Sequence, residues 1–244
     1  MSCLTRGRCL EPVSDTRHIK LISVIETSSH CNLSCSYCPC TTAQYKRSTG
    51  IMNMRTFIKA IGWVRYYVAQ GAYKYGPSTL IDINLHGIGE PLLNPLIVDM
   101  VKFATSRVPD VKFRLCTNGK ALTRDLCSKL SQAGLYSLDI TDHDAATTAR
   151  VLEFREDYFP RGNIARGFST LPHTWAGQVG WYKSKENTRC VNQDHGLAVV
   201  LWDGQVTTCC LDAFNTNVFG HVDEDITKLE FKPLALCKTC HYQA

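Results

Sequence analysis

Short apolar runs alternate with longer segments of helical periodicity over the first two thirds of the chain. The apolar runs predict five strands, at residues 19–26, 80–86, 111–116, 135–140 and 163–170. The segments with apolar residues three and four positions apart predict four helices, at residues 53–71, 96–106, 123–134 and 147–155. Strands that alternate with helices in this way predict an α/β fold, with a parallel sheet and helices outside it, either open or closed as a barrel.

The pattern changes after about residue 175. Two β-type runs at residues 197–202 and 205–210 flank Asp203-Gly204, which is the two-residue turn that favours a β-hairpin. We therefore expect three parts: an N-terminal extension over residues 1–18, an α/β unit over 19–180, and a small hairpin-containing unit over 181–244.

Composition and charge narrow the class of protein. The 244 residues are 44% hydrophobic and 20% charged, which is enough to bury a core. The 27 basic residues only modestly exceed the 22 acidic ones and are scattered, unlike the basic stripe of a nucleic-acid-binding protein. No apolar run reaches the roughly 18 residues that span a bilayer, and the first residues lack the apolar region of a signal peptide. We expect a cytoplasmic protein without nucleic-acid or membrane partners.

Thirteen cysteines are the most unusual feature of the composition. An odd number without a secretory signal argues against a disulfide framework and favours metal binding. Cys31, Cys35 and Cys38 follow the first predicted strand with C-x3-C-x2-C spacing. Three thiolates on one loop can hold three corners of a cubane iron–sulfur cluster and leave one iron open for chemistry. The alternative is a zinc knuckle that takes its fourth ligand from His30 or Cys40.

This cysteine triad, with the aromatic Tyr37 before its last cysteine, resembles the signature of the radical S-adenosylmethionine (SAM) enzymes. Residues 87–91 (Gly-Ile-Gly-Glu-Pro) follow the second predicted strand and are similar to the family's GGEP motif, which binds the SAM amino group. The resemblance implies that Gly87, Gly89 and Glu90 bind SAM there. Taken alone, the motif is equally consistent with an ordinary β-turn.

Two further matches extend the resemblance. The third predicted strand ends in residues 115–119 (Leu-Cys-Thr-Asn-Gly), similar to the family's third strand, which implies a cofactor-binding role for Asn118. Ser137 and Asp139 match the family's S-x-D pattern near the SAM ribose, although ordinary strand-end capping explains them too. The resemblance covers about residues 20–170 and implies a partial (β/α)6 barrel, with its site at the C-terminal ends of the strands.

A second set of cysteines lies in the last quarter of the chain. Cys190, Cys209, Cys237 and Cys240 provide four thiolates, the last two as a C-x2-C pair. This layout is similar to the "twitch" extension of radical SAM enzymes, a short SPASM-like domain that carries one auxiliary [4Fe–4S] cluster. A zinc ribbon with the same four ligands is the alternative, because spacing cannot distinguish tetrahedral zinc from a cubane. Cys210 competes with Cys209 as a ligand.

The resemblance implies an oxidoreductase with two [4Fe–4S] clusters and SAM. The reduced first cluster would cleave SAM to a 5′-deoxyadenosyl radical, which removes a hydrogen atom from the substrate. The size and the single auxiliary cluster are similar to members that oxidise a carbinol of a small polar molecule. An epimerase, or a maturase that acts on a precursor peptide, is the alternative activity, and a non-catalytic iron–sulfur redox or sensor protein is the alternative from another class.

The resemblance also bears on catalytic residues and on the electron donor. We expect the catalytic residues among Arg166, His173, Cys116 and Cys210, and flavodoxin or ferredoxin as the type of electron donor. Arg166 and His173 lie where the substrate pocket of the family would be, together with His143.

Overall fold

The computed structural model describes residues 19, 21–71, 81–160, 162, 164–166, 175, 178, 196–230 and 236. The strands are β1 (Leu21–Ile25), β2 (Ile81–Asn84), β3 (Val111–Thr117), β4 (Ser137–Asp142), β5 (Ile164–Arg166), β6 (Leu197–Val200), β7 (Gln205–Thr207) and β8 (Val218–His221). The α-helices are α1 (Met54–Ala69), α2 (Ile97–Arg107), α3 (Arg124–Gln132) and α4 (Ala145–Tyr158).

All eight strands form one continuous sheet in the order β5-β4-β3-β2-β1-β6-β7-β8. Strands β1 to β5 pair with their neighbours in parallel, and β6 also pairs in parallel with β1. Strands β7 and β8 continue the sheet in antiparallel fashion. The predicted α/β class is confirmed. The sixth parallel strand, β6, lies beside β1 on the side away from β2, and it comes from the predicted hairpin.

Three of the four described α-helices begin where the side chain of the capping residue accepts a hydrogen bond from an amide of the first turn. Asn53 accepts from the Thr56 amide at the start of α1, and Thr123 accepts from the Leu126 amide at the start of α3. In α4, Asp144 accepts from the Ala146 amide. None of the helices within the described residues combines the length and apolar character needed to cross a membrane.

Alternation along the strands separates the packed face of the sheet from its other face. In β3, Val111, Phe113 and Leu115 are buried in the main core, whereas Lys112, Arg114 and Cys116 alternate with them and are partly exposed. The helices pack on the first face, so polar side chains on the second are free for other tasks. The site described next lies at the ends of β1 to β4.

Candidate active site

The loop that carries Cys31, Cys35 and Cys38 is closed at its base by pairing of the two chain segments that enter and leave it. The Ser29 amide donates to the Gly50 carbonyl at 3.0 Å, and the Gly50 amide donates to Ser29 Oγ at 2.8 Å. The Met52 amide donates to the Thr27 carbonyl at 3.0 Å. Residues 30–49, here called the cluster loop, therefore extend as one unit from the C-terminal end of β1.

Within the cluster loop, a compact turn holds two of the cysteines. The Cys38 amide donates to the Cys35 carbonyl at 3.0 Å, and Thr41 Oγ1 donates to the carbonyls of both residues at 2.9 and 2.7 Å. Cys31 is exposed, and the other two are partly exposed. These hydrogen bonds fix the backbone that carries Cys35 and Cys38, and Cys31 lies near the start of the same loop.

The electrostatics of the three thiols differ. Partial desolvation by neighbouring atoms raises the pKa of Cys31, and the Glu90 carboxylate and the other two cysteines raise it further. A hydrogen bond from the Cys40 thiol lowers the pKa of Cys38 to about 7. Within the described residues, no three His, Cys, Asp or Glu side chains converge on a point that would hold a single metal ion. One exposed and two partly exposed thiols, one of which ionises near neutral pH, are a donor set that fits a [4Fe–4S] cluster.

Gly89 packs directly against the chain that leads into the cluster loop. A Cβ at this position would overlap the carbonyl groups of Ser28 and His30. The Glu90 amide donates to the His30 carbonyl at 2.6 Å. The resemblance implies that Gly89 binds SAM, and the structure gives a separate reason for glycine at this position. Only glycine lets residues 87–91, here called the motif loop, lie this close to the cluster loop.

The Glu90 carboxylate joins the motif loop to the end of β3. It is 2% exposed and accepts from Thr117 Oγ1 at 2.6 Å, from the Asn118 amide at 2.8 Å and from the Leu92 amide at 3.0 Å. Burial raises its pKa, against the effect of these donors. Glu90 therefore holds the motif loop against the end of β3 through these hydrogen bonds.

Asn118 connects the end of β3 to the cluster loop. Its side-chain amide donates to Asn32 Oδ1 at 2.8 Å and lies 3.8 Å from the Cys31 sulfur. Ser137 and Asp139 lie on β4, where Ser137 Oγ donates to Asp139 Oδ1 at 3.0 Å. Ser137 is buried, whereas Asp139 is partly exposed.

His143, directly after β4, contacts the cluster loop in a way that the sequence did not indicate. Its Nδ1 is hydrogen-bonded to the Tyr37 hydroxyl and lies 3.7 Å from the Cys35 sulfur. The two rings stack with centroids 6.0 Å apart. Burial lowers the pKa of His143, which favours its neutral form. Tyr37 and His143 are 106 residues apart in the sequence, and no spacing pattern connects them.

Cys116, near the end of β3, and His86, just after β2, lie next to each other. The Cys116 amide donates to His86 Nδ1 at 3.1 Å, and the Cys116 thiol is hydrogen-bonded to Thr141 Oγ1 at 3.0 Å. Desolvation lowers the pKa of His86 to about 4, so the ring is neutral at neutral pH and its hydrogen lies on Nε2. Burial raises the pKa of Cys116 to about 11, so this residue is a thiol.

Of the second cysteine set, the structure describes Cys209, together with its neighbour Cys210. A hydrogen bond with Cys210 raises the pKa of Cys209. Both line a pocket whose other wall includes Glu26, Arg47 and Gly87, so the hairpin and the motif loop face the same space. The remaining members of the set and one candidate base lie outside the described residues: Cys190, Cys237, Cys240 and His173. Arg166 is the last residue of β5 and is in register with Asp142 of β4.

Comparison with known proteins supports the class that this fold and site indicate. No protein-family model matches the chain. The SAM-dependent 2-deoxy-scyllo-inosamine dehydrogenase of Niallia circulans is 28% identical over 221 residues, which is 84% of this chain and 80% of the relative. A cofactor-modifying protein for the tungsten-containing aldehyde ferredoxin oxidoreductase of Pyrococcus furiosus is 27% identical over 134 residues, which is 52% of this chain and 34% of that protein.

Solved structures share the fold. The crystal structure of BtrN in complex with AdoMet and 2-DOIA has a TM-score of 0.65 and 22% identity, over 85% of this chain and 80% of that one. The structure of anSMEcpe with bound AdoMet and the Cp18Cys peptide has a TM-score of 0.52 and 14% identity, over 85% and 78%. The comparisons confirm the resemblance to radical SAM enzymes, the partial-barrel fold and the oxidoreductase class. SAM and its [4Fe–4S] cluster are the cofactors that these relatives support.

Proposed function

We propose that this chain is a radical SAM dehydrogenase that oxidises a carbinol of a small polar molecule. One observation carries the proposal. The cluster loop, the motif loop and Asn118 converge at the C-terminal ends of β1, β2 and β3, in a chain that aligns over 84% of its length with a SAM-dependent dehydrogenase. Ligands of parallel α/β sheets bind at this edge.

The residues at this edge divide the binding tasks. Cys31, Cys35 and Cys38 would hold the SAM-binding cluster, with Tyr37 packed beside it. The motif loop, with Gly87, Gly89 and Glu90, and the residues Asn118, Ser137 and Asp139 beside it would hold SAM, with Ser137 acting through its hydrogen bond to Asp139. Together the bound cluster and SAM would supply a 5′-deoxyadenosyl radical that takes one hydrogen atom from the substrate carbon.

We assign the second cysteine set to an auxiliary [4Fe–4S] cluster. Conversion of a carbinol to a carbonyl removes one hydrogen atom, one electron and one proton. The radical accounts for the hydrogen atom, so an electron acceptor is needed nearby. Cys209 lines the same pocket as Gly87, which supports an acceptor there. Four ligands, Cys190, Cys209, Cys237 and Cys240, would leave that cluster without an open iron, and residues 181–244 would form its twitch-type unit.

The proton must leave to a base. Arg166 and His173 are the candidates by position in the chain: a histidine suits proton transfer, and an arginine would orient the hydroxyl. Cys116 does not suit this task, because its thiol keeps its proton at neutral pH. A neutral thiol instead suits hydrogen-atom return, so Cys116 supports epimerisation as the second candidate function, and the exposed Cys210 is the other candidate donor by position.

The electron donor, the cellular compartment and the type of substrate complete the proposal. The electron that starts SAM cleavage would come from a flavodoxin or ferredoxin, because such carriers reach the low potentials of [4Fe–4S] clusters. A reducing cytoplasm would keep the many free cysteines available for clusters. A small-molecule substrate is favoured over a precursor peptide because the sequence relative that spans most of the chain is named for a small molecule.

Turnover in D2O separates oxidation from epimerisation. The first substrate to test is 2-deoxy-scyllo-inosamine, followed by related aminated and neutral cyclitols, with the product analysed by mass spectrometry. Oxidation predicts a product two mass units lighter than the substrate, without solvent deuterium at the reacting carbon. Incorporation of one deuterium at that carbon, lost in Cys116→Ala or Cys210→Ala, would replace the dehydrogenase with an epimerase. Modification of a precursor peptide alone would indicate a maturase.

A further inference from the structure

The chain returns from the cluster loop to α1 through residues 45–50, here called the return segment. This segment lies between two other parts of the molecule. On one side, the Arg47 guanidinium forms an ion pair with the Glu26 carboxylate at the end of β1. On the other side lies the turn between β6 and β7, where the Trp202 indole donates to the Ser48 carbonyl at 3.3 Å. A Cβ at Gly50 would overlap the Trp202 ring, so the two surfaces are in close contact.

The Glu26 carboxylate contacts the return segment, the motif loop and the turn between β6 and β7. Besides Arg47, its carboxylate accepts from the Ile88 amide of the motif loop and from the Trp202 amide, each at 3.3 Å. A Cβ at Gly87 would lie 2.6 Å from Glu26 Cγ. One carboxylate thus joins the return segment, the motif loop and the hairpin turn.

The pair is deeply buried, which makes the loss of either partner alone costly. The side chains of Glu26 and Arg47 are 1% and 4% exposed. Removing one partner of a buried ion pair leaves an uncompensated charge, which is far more costly than removing both. Both residues also line the pocket that Gly87 and Cys209 share. The pair therefore lies between the two sets of residues assigned above to SAM and to the auxiliary cluster.

We propose that Glu26 and Arg47 are positioning residues that hold the motif loop in register with the cluster loop. Glu26 fixes the Ile88 amide, and Arg47 fixes the return of the cluster loop onto the same carboxylate. The geometry of SAM relative to its cluster then depends on this pair, although neither side chain is assigned as a ligand. The inference rests on the proposed function, because it concerns the site where SAM and the cluster would bind.

The test uses the anaerobically reconstituted full chain and four variants: Arg47→Met, Arg47→Lys, Glu26→Gln, and Glu26→Gln with Arg47→Met. Two quantities are measured, the rate at which an iron chelator removes the cluster and the dissociation constant of SAM per loaded cluster. Arg47→Met is expected to raise both by ~10-fold or more, since it leaves Glu26 buried and unpaired. The double variant should recover part of the loss, and Arg47→Lys should recover most of it.

A matched control and the contrary outcomes follow from the same measurements. Arg124→Met removes a pair with Asp157 whose side chains are 57% and 61% exposed, and should change neither quantity. Unchanged SAM affinity per loaded cluster in Arg47→Met would overturn the inference, even if the melting temperature fell, because stability alone would then explain the pair. If Arg47→Met does not fold, unchanged SAM affinity in the double variant overturns it equally, because that variant lacks the pair and is expected to recover only part of the loss. A wild-type chain that binds neither cluster nor SAM would refute the proposed function itself.

Discussion

At the scale of single residues, several side chains of the site hold other residues in place through hydrogen bonds. Glu90 is the clearest case. The motif resemblance assigned it to SAM, and its buried carboxylate is bonded to Thr117, Asn118 and Leu92. A glutamate beside two glycines indicates a special backbone, but the sequence cannot show which amides it serves. Two of those partners, Thr117 and Asn118, come from the end of β3, whereas Leu92 follows Glu90 closely in the sequence.

His86 gives a prediction about pH. Its pKa is about 4 in the folded chain and 6.5 when unperturbed, so the unfolded chain binds a proton first as pH falls. The stabilisation from neutral His86 is complete above about pH 6.5 and is lost between about pH 6.5 and 4. This contribution is at most on the order of 3 kcal/mol.

Thermal unfolding of His86→Gln against the wild type between pH 7 and 4.5 measures this contribution. The wild type is expected to lose more stability over this range than the variant. Parallel pH profiles for His86→Gln and the wild type would show that His86 is not protected from protonation in the fold.

At the scale of elements, the sequence predicted those features that local patterns determine. Thr123 was expected to begin a helix, and it caps α3. Asp203-Gly204 was expected to turn a hairpin, and Gly204 adopts a φ of 91° between β6 and β7. Helix α4 extends beyond the predicted 147–155 at both ends, because its first turn and its last residues lack the apolar periodicity used to find it. Strand β8 was not predicted, since its only buried residue is Gly220.

Pairing between distant segments could not be predicted in the same way. Periodicity identifies strands and their faces but not their neighbours, so the position of β6 beside β1 came only from the structure. The same holds for the Glu26–Arg47 pair, in which two isolated charges meet at the base of the cluster loop. The cysteine triad was recognisable because its ligands are close together in the sequence.

The motif loop carries a prediction about glycine. Replacement of Gly89 by alanine would press a Cβ into the backbone of residues 28–30, which cannot shift without moving the cluster loop. We expect a loss of about 1–3 kcal/mol in stability and faster loss of iron from the three-cysteine site. Thermal melting and iron analysis measure both.

Gly62→Ala is the matched control, because nothing lies within 4 Å of a Cβ at that position in α1. Alanine there should be neutral or stabilising, since it favours the helix. If Gly89→Ala and Gly62→Ala have the same stability and iron content, the motif loop and the cluster loop are not packed as closely as the structure shows.

At the scale of the whole molecule, the continuous sheet joins the hairpin to the strands that carry the proposed SAM site. Two clusters on one chain should give about eight iron atoms after anaerobic reconstitution, four per cubane. Replacement of Cys31, Cys35 and Cys38 together by alanine should leave about four. Iron and zinc are measured together by elemental analysis, and zinc in the second site would contradict the auxiliary cluster while leaving the first one in place.

The central claim is that the three-cysteine site supports reductive cleavage of SAM. Its most direct test is 5′-deoxyadenosine formation by the reconstituted, dithionite-reduced chain, measured by liquid chromatography and mass spectrometry beside Cys35→Ala and the control Cys127→Ala, whose thiol is buried in the core. The wild type and Cys127→Ala should form 5′-deoxyadenosine and methionine in equal amounts, and Cys35→Ala should form neither. Undiminished cleavage by Cys35→Ala, or none by a wild-type chain that holds its iron, would contradict the claim.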